Sequence, residues 1–183
     1  MKKIILVYGT LAGVIVGAMF FVTAPLYDRG VINFDNGMWV GYTSMVIALS
    51  LIFFGVKSYR DSHSGGSITF GKAFKIGILV TVVASVIYAL SWEVAYRTVS
   101  KGFSEKMKAY YVANLQKEIT DEATLKIELE KQDQLWEMYK NPVVRFGMTL
   151  LEIFPVGLII SLLSAGLLRK KEFLPESTLA TKQ

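Results

Sequence analysis

The sequence predicts an all-α integral membrane four-helix bundle, with an extracytoplasmic amphipathic helical hairpin between spans three and four. Three observations carry that prediction. Four runs with at most one charge each are as long as a bilayer-crossing helix. Lysine and arginine crowd alternate ends of those runs. One segment, 97–142, switches to dense charge of both signs while keeping helical spacing of its apolar residues.

The first span is 4–27, 24 residues without a charge. The second is 38–56, 19 residues without a charge. The third is 76–96, 21 residues with Glu93 as its one charge, and the fourth is 146–168, 23 residues with Glu152. A hydrocarbon core about 30 Å thick needs roughly 20 apolar helical residues, which all four runs supply. A buried strand is far shorter and a soluble core helix rarely stays uncharged this long. Lys2 and Lys3 ahead of the first run resemble the start of a signal peptide. However, the run exceeds a typical apolar signal region, and Pro25 directly follows the one small-residue cleavage candidate, Thr23-Ala24. It is read as a retained helix, and the chain as one membrane domain over 1–183.

Composition narrows the function. With 52% hydrophobic and 19% charged residues, the chain departs from a soluble enzyme of this size. There is no cysteine, which removes thiol catalysis, disulfides and cysteine-held metals. One histidine, His63 in the polar loop, gives no histidine-rich metal site. No cofactor, metal or catalytic residue is expected.

Orientation follows from the basic residues. The N-terminus, the loop 57–75 and the tail 169–183 hold ten of them against Asp61, Glu172 and Glu176, a net +7. The loop between spans one and two is net −1 (Asp28, Arg29, Asp35), and the segment from Arg97 to Arg145 is net +1 with nine basic and eight acidic residues. Both termini are therefore expected in the cytoplasm, with 97–142 outside. The overall +5 is a topology signal, and no nucleic-acid partner is expected.

Within 97–142, Phe103, Met107, Tyr110 or Tyr111, and Asn114 or Leu115 recur at helical spacing, with Ser104 as the expected N-cap. After residue 120, Leu125, Leu129, Gln132, Trp136 and Tyr139 form a second stripe, with Thr120 as the expected cap ahead of two acids. Two stripes predict a hairpin, or one helix broken near 120. They pack on each other or on the membrane surface, or they form a docking face for a membrane-protein partner or a second copy.

Gly66-SITFGK-Ala73 nearly fits a phosphate-binding loop, but Ala73 replaces the hydroxyl residue that holds magnesium, and no strand precedes it. It reads as a turn entering span three at the interface, with Phe70 and Phe74 dipping into the headgroups and Lys72 and Lys75 in water. Gly9, Gly13 and Gly17 make a small-residue ladder in span one; Gly77, Thr81, Ser85 and Ala89 make another in span three, and Gly157, Ser161 and Ala165 a third in span four. Such faces permit close helix approach. They are read as intramolecular packing, with dimerisation through the Gly9 ladder as the alternative.

A charge at the bilayer centre costs about 2.5–3.5 kcal/mol on insertion scales, so Glu93 and Glu152 are candidate polar or functional residues. Glu93 continues the span-three ladder by one step. Glu152 lies deeper, three residues before Pro155, which kinks the helix by removing an amide donor. Arg145 is two turns up the same face; Glu152 is expected to be a bundle-facing polar link held by Arg145 or by a hydroxyl from another span, with Glu93 the other candidate neighbour. The acids read as polar links between helices, as a proton or cation relay, or as a lipid or ligand contact.

The runs Gly41-YTSMVIALSLIFFGVKSYRD, Gly66-SITFGKAFKIGIL with the later ASVIYALSW, Tyr139-KNP, and Leu151-EIFPVGLIISLLSAGLLRKK resemble one bacterial membrane family, catalogued as domain-of-unknown-function family 4199. The resemblance runs from about Lys2 to Lys171. It implies a multi-pass inner-membrane protein and brings no activity, cofactor or catalytic residue. The expected function is non-enzymatic: a scaffold, accessory subunit or envelope factor acting within the lipid bilayer. The alternative is a small oligomeric transporter or channel component that uses the intramembrane acids.

Overall fold

The computed structural model describes residues 1–100, 102–170 and 173–174, and every regular element among them is helical. In chain order these are α1 (Lys2–Asp28), α2 (Phe34–Leu49), α3 (Leu51–His63), α4 (Phe70–Thr98), α5 (Phe103–Glu118), α6 (Glu122–Lys140) and α7 (Pro142–Leu168). Four stretches are long and apolar enough to cross a membrane: Lys2–Asp28, Phe34–His63, Phe70–Thr98 and Pro142–Leu168. The protein is an all-α membrane bundle. The helices outrun the apolar runs because their polar ends complete the backbone bonding beyond the hydrocarbon.

The second span contains both α2 and α3. The break falls at Ser50, whose Oγ donates to the Ile47 carbonyl at 2.6 Å. Phe53 N–H then takes the Ser50 carbonyl at 3.0 Å, a tight turn inside the span. Serine back-bonding of this kind bends helices. The consequence is visible in burial: α2 buries only Met45, Ala48 and Leu49, all near its C-terminal end. Its N-terminal half buries no residue, and Trp39 is 75% exposed.

Central α4 packs chiefly against α1 and α7. The glycine ladder of α1 lies on α4: a Cβ at Gly9 would stand 2.7 Å from Val83 Cβ, and one at Gly13 2.7 Å from Ile87 Cβ. A Cβ at Gly17 would overlap Ser91. Each step of four on α1 matches a step of four on α4, so the two helices run parallel. This face is occupied within the chain, which leaves no free Gly9 ladder for a dimer. The other two ladders meet each other. A Cβ at Gly77 would strike Ser161, and one at Gly157 would strike Thr81. The two hydroxyls of Thr81 and Ser161 lie 3.1 Å apart across the seam. Both also donate back to their own helices, to Gly77 O and Gly157 O.

The hairpin α5–α6 is present, with its stripes half-buried at Phe103, Met107, Tyr110, Leu125, Leu129, Trp136 and Tyr139. Its caps differ from the expected ones. Gly102, at φ +78°, precedes α5 in place of Ser104, because the chain must reverse sharply there and glycine adopts that conformation freely. Asp121, not Thr120, caps α6, accepting from Thr124 N–H at 2.8 Å and from the Thr124 hydroxyl at 2.6 Å. A carboxylate at the N-terminus also meets the helix dipole.

At the opposite end of the bundle, Arg60 is fully buried. It donates to Asp61 at 2.7 Å and to the carbonyls of Phe173 and Leu174 at 2.8 and 2.6 Å. The chain after α7 is thereby tied back to α3. Thr69 caps α4, and Phe70 stacks on Phe74 at 6.1 Å, so the glycine-rich loop is a helix entry.

Candidate functional site

At the hairpin end, α4, α6 and α7 meet in a polar node. Arg145 is 2% exposed at the start of α7. Its guanidinium grips Glu93 of α4 in two parallel bonds, Nε to Oε1 at 2.8 Å and Nη2 to Oε2 at 2.6 Å. Nη1 donates to the carbonyls of Tyr139 and Lys140 at 3.1 and 3.4 Å, where α6 ends. The guanidinium also lies 3.9 Å from the Tyr96 ring centroid. A planar fork is suited to this combination of carboxylate, carbonyl and ring. Arg97 adds a more distant contact to Glu93 at 3.8 Å. The node ties the hairpin to the bundle, since a cation at the C-terminus of α6 also satisfies its terminal carbonyls.

Arg145, one of the candidate partners of Glu152, is therefore not bonded to it. Arg145 is turned toward the other acid, and Glu152 has no hydrogen-bond or ion-pair partner among the described residues. Helical side chains lean toward the N-terminus of their helix. From residue 145 that direction is away from Glu152 and toward the end of α4.

Glu152 instead lines a cavity of about 440 Å³. The cavity lies between α1, α2, α4 and α7, on the hairpin side of Ser50. Its walls come from α1 (Phe20, Tyr27), α2 (Gly37, Gly41, Tyr42, Met45), α4 (Tyr88, Trp92) and α7 (Met148, Thr149, Glu152). The hairpin roofs it with Phe103, Met107 and Tyr111 of α5 and Tyr139 of α6. Aromatic packing holds that roof down. Phe103 sits 5.4 Å from Tyr27, 5.5 Å from Phe34 and 5.8 Å from Trp92, ring centre to ring centre. Trp92 Nε1–H donates to the Tyr139 hydroxyl at 2.7 Å. Burial pushes the Tyr139 phenol up to about 12, so it stays a neutral hydroxyl. At the rim, the Tyr110 hydroxyl donates to Asp35, and Lys106 pairs with Asp28 at 3.2 Å.

Two glycines of α2 give the cavity its form. A Cβ at Gly37 would collide with the Tyr27 hydroxyl, so glycine lets that ring cross the helix. A Cβ at Gly41 would meet nothing within 4 Å, so its absence leaves room. Pro155 lies one turn beyond Glu152 in α7, which continues through it as a helix. Chemically the site can bind and orient a guest: its walls are mainly apolar, hydroxyls of serine, threonine and tyrosine are spread among them, and Glu152 has no partner among the described residues.

The family described as Protein of unknown function (DUF4199) matches residues 7–170, and the chain belongs to it. No curated protein and no solved structure matches the chain.

Proposed function

We propose that this member of the DUF4199 family acts by binding rather than by catalysis: an accessory protein of the bacterial inner membrane that holds a small, largely apolar molecule in the hairpin-roofed cavity. The observation that carries the reading is the cavity itself, about 440 Å³ at the end of the bundle, aromatic and methionine-rich, with one unpartnered carboxylate. Sites for small molecules have this character: concave, mainly apolar, with a few polar groups. In this reading both termini are cytoplasmic and the hairpin faces outward, as the net +7 of the other side supports. Exposed Ile127, Leu135 and Met138 on α6 supply a surface on which a membrane-protein partner or second copy would sit.

The transporter alternative rests on Glu152 alone, because Glu93 is committed to Arg145. A relay through both acids would first have to break a buried bidentate pair.

Native mass spectrometry of the protein released from lipid nanodiscs tests the binding reading. Wild type should carry a small-molecule adduct that survives delipidation, and Gly41→Leu, which adds bulk at the cavity wall, should weaken or lose it. Equal adducts on both proteins, or none on either, would contradict the reading.

A further inference from the structure

We propose that the guest is a lipophilic monocation, an apolar body carrying a protonated amine or quaternary ammonium whose charge pairs with Glu152. This deepens, and rests on, the reading of the cavity as a binding site.

The argument begins with charge. Among the described residues that line the cavity, Glu152 alone carries a formal charge. Glu152 lies within the apolar stretch Pro142–Leu168 with its side chain exposed at the cavity wall, and an ionised carboxylate in apolar surroundings is costly unless something neutralises it. No described residue offers it a cation: Arg145 directs its donors to Glu93 and to two carbonyls of α6. No described residue donates a hydrogen bond to it either. Thr149, one turn away on the cavity wall, gives its hydroxyl proton back to Arg145 O at 2.9 Å. The bundle thus satisfies Glu93 and leaves Glu152 open toward the cavity.

The walls favour the same sign. Tyr27, Tyr42, Tyr88, Trp92 and Tyr139 present aromatic groups to the space. A cation lying over the face of such a ring is attracted by its quadrupole, whereas an anion there is repelled. Methionines on α1, α2, α5 and α7, at Met19, Met45, Met107 and Met148, add polarizable surface that reshapes around an irregular apolar body. An anionic headgroup would find no cation among the described residues of these walls. A neutral lipid tail would fill the space but leave the carboxylate unanswered.

The test uses three probes with one cage and different charge: adamantan-1-amine, adamantan-1-ol and adamantane-1-carboxylate. Each is titrated onto full-length protein in nanodiscs, with empty nanodiscs subtracted for partitioning. Wild type should bind the amine saturably, about tenfold or more tighter than the alcohol, the scale of a hydrogen bond to a charged group. The carboxylate should bind weakest. Glu152→Gln keeps the shape and should erase the amine's advantage while leaving alcohol binding in place. Gly41→Leu should abolish binding of all three. If the alcohol or carboxylate binds wild type as well as the amine does, and Gly41→Leu still blocks binding, the cavity binds but the cation assignment is wrong. An amine preference unchanged in Glu152→Gln overturns it equally. If no probe binds saturably, or Gly41→Leu changes nothing, the cavity reading itself fails.

Discussion

Glu93 and Arg145 stand opposite each other as a continuation of the small-residue seam between α4 and α7. Gly77 faces Ser161, and Thr81 faces Gly157. Continuing in antiparallel steps of four along both helices places 93 against 145, where the guanidinium and carboxylate meet at 2.6 and 2.8 Å. Packing without side-chain bulk therefore fixes the depth at which the one buried ion pair of this seam forms.

Removing one partner of that pair should be strongly destabilising. Arg145→Met leaves Glu93 without its counterion and also frees two carbonyls of α6. Losses of about 3–5 kcal/mol are typical when a buried pair is broken from one side. Thermal unfolding in detergent should show a large drop in Tm. The double variant Glu93→Gln/Arg145→Met should recover part of it, and a double variant no better than the single would mean that the carboxylate is not the source of the cost.

Two glycines should respond in opposite directions to the same added methyl. Gly13→Ala places a carbon 2.9 Å from the Ala84 carbonyl oxygen and 2.7 Å from Ile87 Cβ. Backbone cannot yield there, and overpacking of this kind costs about 1–3 kcal/mol. Gly41→Ala meets open space and removes a flexible residue from a helix, a gain of up to about 1 kcal/mol. Melting temperatures should fall for the first and hold or rise for the second.

The α6 cap should titrate. Two hydrogen bonds from Thr124 hold the Asp121 carboxyl below its ordinary 3.8. A depressed carboxylate contributes its stabilisation above the unfolded value and loses it as pH falls through the folded one. Amide exchange in the first turn of α6 should accelerate as pH drops below about 4, after correction for intrinsic rates. Asp121→Asn, which caps nearly as well, should remove that acid dependence. Identical pH profiles for the two proteins would count against it.

Sidedness can be read with single cysteines, because the native chain has none. A cysteine at Asp121 should react with an impermeant reagent on intact cells. One at Ser64, in the basic loop, should react only after lysis. The reverse pattern would invert the proposed topology.

The four spans were legible in the sequence because run length and missing charge are local properties. The ladders were legible as packing faces, since a period of four survives without knowledge of the partner. Which ladders meet was not legible: the register that joins 93 to 145 depends on two helices separated by the whole hairpin. Pairing Arg145 with Glu152 followed from a shared helix face, but side-chain lean aimed the guanidinium the other way. The hairpin's caps were each misplaced by one or two residues, because neighbouring Thr120 and Asp121 both suit a cap, as do Gly102 and Ser104 in different ways. The cavity was missed altogether. Its signals were Gly37 and Gly41, four apart in span two, and Ser50 below them, a bend that only the three-dimensional course of α2 reveals.

The central claim is that the space beside Glu152 holds a small molecule in the cell. It is tested most directly by replacing buried Met45, which lines the cavity, with a diazirine analogue of methionine and irradiating intact cells. The same photoreactive residue at exposed Leu163 on α7 reports on bulk lipid. The account predicts an adduct of a single small molecule at 45 that is absent at 163. A protein-sized crosslink at 45, or the same phospholipid adducts at both positions, would contradict it.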